Sequence, residues 1–112
     1  MTTTETETRP DIDVEQHEEK KESLLRPWSV ILHNDDTNTM DFVVLVLRKV
    51  FGYTVEKCVK LMLEAHEKGK AAVWIGALEV AELKADQIRS CGADPFVKKD
   101  AHPLGVSVEP AA

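Results

Sequence analysis

The chain has 112 residues, 43% of them apolar, and a formal net charge of −6. That length suits one small domain with a single core, and an acidic balance without a cluster of Lys and Arg excludes the electrostatic footprint that nucleic acid requires. The opening Met1-Thr-Thr-Thr-Glu-Thr-Glu-Thr lacks the basic cap and apolar run of a signal peptide, and no stretch approaches the roughly 18 apolar residues of a membrane span, so a cytoplasmic protein is expected.

Residues 1–26 hold eight acidic and four basic side chains and almost no large apolar ones. Such a segment cannot offset the entropy cost of ordering itself, so an acidic, disordered N-terminal extension is expected over 1–26 and a folded domain over 27–112. Trp28-Ser-Val-Ile-Leu-His33 alternates Trp28, Val30 and Leu32, the spacing of a strand with one favoured face. From Asn34 to Thr39, Asn, Asp and Thr side chains can bond the local backbone. They predict a turn and then a helix N-cap at Thr39, with Asp41 in the first turn. Met40 to Phe51 is apolar nearly all round, broken by Asp41, Arg48 and Lys49, and predicts a largely buried helix.

Gly52-Tyr53-Thr54 stops that helix and starts another, with Thr54 as N-cap, a stripe through Val55, Cys58, Val59, Met62 and His66, and Gly69 as a left-handed end. Ala71 to Ile75 reads as a short strand, Gly76 as a turn, and Leu78 to Ser90 as a third helix with the stripe Leu78, Ala81, Ala85 and Ile88. After a loop beginning at Gly92, Pro103 to Glu109 sets Leu104, Val106 and Val108 against Gly105, Ser107 and Glu109, a last strand with one wet face. The order predicts an α+β fold: a three-stranded antiparallel sheet covered on one side by three helices. Cys58 and Cys91 have no zinc or redox spacing, so reduced structural thiols are expected, with no metal and no cofactor.

One grouping carries chemistry. A socket for a positively charged group, such as an amine, needs converging acceptors, and Asn34, Asp35 and His66 offer an amide oxygen, a carboxylate and an imidazole nitrogen. Met62 and His66, four residues apart, share a helix face. Met40 and Val43, one turn apart, and Leu104 complete an apolar wall, in which the unbranched methionines can adapt to a bulky side chain. On composition alone, the same residues also read as a capping turn with solvated carboxylates beside an ordinary core. On the third helix, Glu79, Val80, Leu83 and Lys84 lie off the core stripe, placing two apolar residues between opposite charges. That is a small docking patch or a plain solvated face.

Val30-Ile-Leu-His-Asn-Asp-Asp-Thr-Asn-Thr-Met-Asp-Phe-Val43, Leu61-Met-Leu-Glu-Ala-His-Glu-Lys-Gly-Lys70 and Glu79-Val-Ala-Glu-Leu-Lys84 together closely resemble the ClpS adaptor family. The likeness runs from Pro27 to Ile88 and resumes at His102-Pro-Leu104. It implies an adaptor rather than an enzyme, one that captures proteins beginning with Leu, Phe, Tyr or Trp and delivers them to a Clp ATPase-protease. By the resemblance, Asn34 and His66 contact the amine, and Asp35 assists with Asp36 and Asn38 in the same loop. Met40, Val43, Met62 and Leu104 then receive the side chain. Glu79 and Lys84 are implied to bind the N-terminal domain of a hexameric unfoldase of ClpA or ClpC type. A monomer is expected, with no nucleic-acid or membrane partner. The chain departs from the family at Thr37-Asn38-Thr39, where many members have Tyr-Thr-Pro, and in a longer Ser90 to Ala101 segment. Two other classes compete. One is a factor-docking module like the C-terminal domain of the ribosomal stalk protein, on architecture alone. The other is a metal-dependent hydrolase using Asp35, Asp36 and His66, though no His-x-x-x-His, Cys-x-x-Cys or nucleophile elbow accompanies them.

Overall fold

β1 (Trp28–His33) is the middle strand of an antiparallel sheet ordered β2-β1-β3, with β2 at Lys70–Gly76 and β3 at Val106–Pro110. This computed structural model describes residues 26–111; the expected extension over 1–26 lies outside the described residues except for Arg26. Between β1 and β2 come α1 (Met40–Phe51) and α2 (Val55–Lys68), and between β2 and β3 comes α3 (Leu78–Ser90). α3 packs on all three strands, α2 on β2, and α1 on α2 and α3. The core of Val30, Leu32, Val46, Leu47, Leu61 and Ile88 lies between these helices and one sheet face. The expected α+β arrangement is therefore the observed one.

Being central, β1 buries more than one face. Ser29 and Ile31, on the side away from Val30 and Leu32, are only 5% and 7% exposed. Each sits between cross-strand neighbours: Ser29 between Ile75 and Glu109, and Ile31 between Ala72 and Ser107. Pairing with β2 steps from Val30–Trp74 to Ile31–Ala72, which leaves Val73 as an extra residue. Such a bulge resets the alternation. Val73 is buried, Trp74 packs against the core, and Ala72 and Ile75 are left outward.

Both N-caps stand where the chain order places them: Thr39 accepts from the Phe42 N–H and Thr54 from the Lys57 N–H, each at 3.2 Å. Gly52 and Gly69 close α1 and α2 with φ of 71° and 90°, a region that costs a side-chain-bearing residue about 1–2 kcal/mol. Three expectations need correction. α1 is not largely buried, since Met40 is 48% and Leu45 59% exposed; packed on two helices, it keeps an uncovered flank. The buried stripe of α2 is Cys58, Leu61, Met62 and Ala65, with Val55 and His66 exposed, so the helix is turned slightly from the predicted face. β3 begins at Val106 rather than Pro103. Pro103 instead bridges Ala93, and the Gly105 carbonyl accepts from the His33 N–H at 2.9 Å.

Cys58 and Cys91 are both free, and burial pushes the Cys58 thiol up, away from the reactive thiolate. No helix among the described residues is long and apolar enough to cross a membrane.

Candidate functional site

Where β1 ends, the chain must leave the sheet and enter α1, and three of the six residues between, Asn34, Asp35 and Asn38, form part of the wall of a hollow. Leu32, His33, Asn34, Asp35, Asn38, Met40, Val43, Met62, Ala65, His66 and Leu104 line it, and it opens to solvent. Eight of the nine substrate-site residues expected from sequence thus converge. Asp36 is the exception, exposed and outside the lining.

The loop is held from several sides. The Asn34 N–H donates to the carbonyl of Gly69 at 2.9 Å, so the left-handed end of α2 fixes Asn34 one turn beyond His66. Asp35 turns its carboxylate back into its own loop. Oδ1 accepts from the N–H groups of Thr37 and Asn38 at 2.6 and 3.2 Å, and Oδ2 accepts from Asn38 Nδ2 at 2.5 Å. His102 Nδ1 stands 3.6 Å from the same Oδ2. Asp35 therefore lines the hollow as a loop anchor and a negative charge, with most of its acceptor capacity already used.

Asn38 is 8% exposed. A carboxylate can only accept, so the Asn38 amide must face Asp35 with its nitrogen. Among the described residues its Oδ1 is left buried with no hydrogen-bond partner, a condition that costs about 1–3 kcal/mol. Among the described residues the side chains of Asn34 and His66 likewise make no hydrogen bond. The polar end of the hollow thus carries three groups able to accept: a buried Asn38 Oδ1, and the side chains of Asn34 and His66, which are exposed to solvent. Its other end is apolar, formed by Leu32, Val43, Met62, Ala65 and Leu104, with Met40 at the mouth.

Sequence reasoning missed Asp94. Its side chain, 1% exposed, accepts from the Thr39 N–H at 2.8 Å and the Thr39 hydroxyl at 2.7 Å through Oδ2, and from the Phe96 N–H at 2.9 Å through Oδ1. The local signal was Gly92-Ala-Asp-Pro95, the composition of an Asx turn; nothing local announced the partner 55 residues earlier. Leu32, His33 and Ala65 were also missed as lining residues, because a strand end and a small helix residue carry no chemical mark.

Burial raises both carboxyls. At Asp35 the Thr37 N–H and the side-chain amide and N–H of Asn38, with His102 nearby, overcome it; at Asp94 the Thr39 hydroxyl and N–H and the Phe96 N–H do. Both therefore sit below the ordinary 3.8. A carboxyl depressed by folding contributes stability that is complete above its unfolded value and is lost as pH falls through the folded one. The urea midpoint is expected to drop as pH falls below 3.8, and less steeply in Asp94→Asn. Denaturation followed by circular dichroism checks this; a midpoint that climbs on acidification contradicts it.

Among the described residues no group of three or more His, Cys, Asp or Glu could hold a metal ion. On the third helix, Val80 and Leu83 are 38% and 53% exposed and Glu79 is exposed. Lys84 is half-buried, donating to the Val50 carbonyl at 3.1 Å with its ammonium 5.7 Å from the Phe51 ring centre.

The sequence model of the family described as "ATP-dependent Clp protease adaptor protein ClpS" matches residues 23–107. The ATP-dependent Clp protease adapter protein ClpS of Sodalis glossinidius is 41% identical over 102 residues, covering 87% of this chain and 92% of its own length. That of Escherichia coli O127:H6 is 39% identical over 104 residues, with 89% and 93% covered. In three dimensions the fold matches Agrobacterium tumefaciens ClpS2, solved bound to L-phenylalaninamide, with a TM-score of 0.66 and 32% identity over 76% of this chain and 96% of that one. Fold, loop and relatives agree: the chain belongs to the ClpS family of Clp-protease adaptors.

Proposed function

We propose that the hollow captures the first residue of another polypeptide, with the free α-amino group at its polar end and a bulky apolar side chain (Leu, Phe, Tyr or Trp) at its apolar end. The observation that carries this reading is the convergence on one hollow of the Asn38 Oδ1, buried and without a partner among the described residues, and the exposed side chains of Asn34 and His66, which make no hydrogen bond within those residues. An ammonium is the group such acceptors lack, since it donates three hydrogen bonds and accepts none. Asn34 and His66 are the direct contacts in this reading. Asn38 and Asp35 supply acceptor and field, and Asp36 acts only through its charge. Met40, Val43, Met62 and Leu104 enclose the side chain. L-phenylalaninamide, bound by the Agrobacterium relative, combines the same three features: a free amine, a large apolar side chain, and an amide where a chain would continue.

Two or three hydrogen bonds to a charged group contribute about 1.5–3 kcal/mol each, and burial of the side chain adds about 1.5–3. Association and ordering take back several kcal/mol, leaving roughly micromolar affinity, suited to capture followed by release. The captured protein then passes to a Clp ATPase-protease, whose N-terminal domain docks on Glu79 and Lys84. Titration with peptides differing only in residue one tests the capture step. Leu, Phe, Tyr and Trp are expected to bind at least about tenfold more tightly than Ala or Asp, from the difference in buried apolar surface; a flat series rejects the reading.

A further inference from the structure

Asp94 is the most thoroughly satisfied buried charge next to the hollow, yet it does not line it. It comes from the connection between α3 and β3, and all three of its hydrogen bonds are to backbone N–H groups or a hydroxyl: Thr39 N, Thr39 Oγ1 and Phe96 N. Thr39 is the N-cap of α1, flanked by Asn38, which carries the orphaned acceptor, and by Met40, which stands at the mouth. Fixing residue 39 fixes both neighbours. The same connection touches the site again at its far stem. There Ala93 pairs with Pro103, His102 lies beside Asp35, and Leu104 forms part of the apolar wall. The α3–β3 connection is thus a buttress for a loop otherwise held by Asp35 and by the single bond from Asn34 to Gly69.

We propose that Asp94 is a positioning residue of the capture site: acting through Thr39, it sets where Asn38 and Met40 stand relative to Asn34 and His66, and so governs discrimination for a free amine without touching the ligand. This inference rests on the capture reading above. The chemistry demands a carboxylate. Both oxygens must accept, Oδ2 twice and Oδ1 once, whereas an asparagine amide presents one acceptor and one donor, so that either Thr39 or the Phe96 N–H would face an N–H. The position also demands a residue 39 with an N–H and a hydroxyl. Thr37-Asn38-Thr39 and the long segment after Ser90 are therefore two halves of one device: a clamp that only a residue with both donors can complete. Convergent acceptors have to be held within about half an ångström to act together, and a clamp on the adjacent residue does this.

A helix cap important only for stability would leave amine selectivity alone, so selectivity is the decisive readout. The ratio of dissociation constants for an N-acetylated and a free Leu-initiated peptide is measured for the full chain and for Asp94→Asn and Thr39→Ser. Asp94→Asn is expected to lower that ratio at least about tenfold, the scale of one misplaced hydrogen bond to a charged group. Thr39→Ser, which keeps both donors, is expected to stay within about twofold of the parent. A parent chain with a ratio near one overturns the capture reading itself. A parent that discriminates, with Asp94→Asn discriminating equally, overturns the positioning role alone. Should Asp94→Asn not fold, Thr39→Val, which keeps the N–H and loses the hydroxyl that donates to Asp94, takes its place in the same measurement: a lowered ratio supports the positioning role, and a ratio equal to the parent's overturns it.

Discussion

Acetylating the amine of a Leu-initiated peptide is expected to weaken its binding at least 100-fold, the largest effect expected on capture. Acetylation removes the charge and two of three donors at once, and each hydrogen bond to a charged group contributes about 1.5–3 kcal/mol, so two lost bonds correspond to two or more powers of ten. From the protein side, His66→Ala and Asn34→Ala each remove one direct acceptor and are expected to cost about 10- to 100-fold in affinity. Both side chains are exposed, outside the core, so thermal stability should hardly move. Tryptophan fluorescence or calorimetric titration reads the affinities. Equal affinity for free and acetylated peptide would remove amine recognition altogether, whatever the apolar end of the hollow does.

Delivery is expected to fail, with capture intact, when Glu79→Lys is combined with Leu83→Asp. Val80 and Leu83 are exposed apolar side chains on α3 beside exposed Glu79, and none of them lines the hollow. Interface anchors of this kind cost about 2 kcal/mol or more each, so two together should weaken docking on the unfoldase roughly 1000-fold if they act independently. Peptide affinity should remain within about twofold. The structure also dictates which charge not to reverse. Lys84 donates to the Val50 carbonyl in the last turn of α1 and lies near the Phe51 ring. A glutamate there would face the negative end of a helix, so a defect in Lys84→Glu would mix docking with damage to the α1–α3 junction. Degradation of a Leu-initiated reporter by the ATPase-protease is the readout. A double variant that still supports it places the contact elsewhere.

Much of the site was readable because its chemistry is local. Asn34, Asp35 and Asn38 announce a turn, Thr39 a cap, and the spacing of Met62 to His66 a shared face; all of these take their expected places. The departures concern what surrounds each element. α1 looked buried because it is apolar on every side, but a pattern on one helix cannot say how many neighbours it has, and Met40 and Leu45 remain uncovered. β1 read as a strand with one favoured face, but flanking strands on both sides bury Ser29 and Ile31 on the other as well. Asp35 looked like a free carboxylate and proves to be occupied by its own loop.

By itself the order of residues determined the six elements, their caps, the antiparallel α+β architecture and the family, because each depends on periodicities and motifs within about fifteen residues. Tertiary structure alone decided that Asp94 reaches Thr39 across 55 positions, that Val73 is an extra residue in its strand, and that Asn38 keeps a buried oxygen without a partner. The physical reason is that hydrogen-bond satisfaction and burial belong to pairs of groups, and which pairs meet is settled only when the helices close over the sheet.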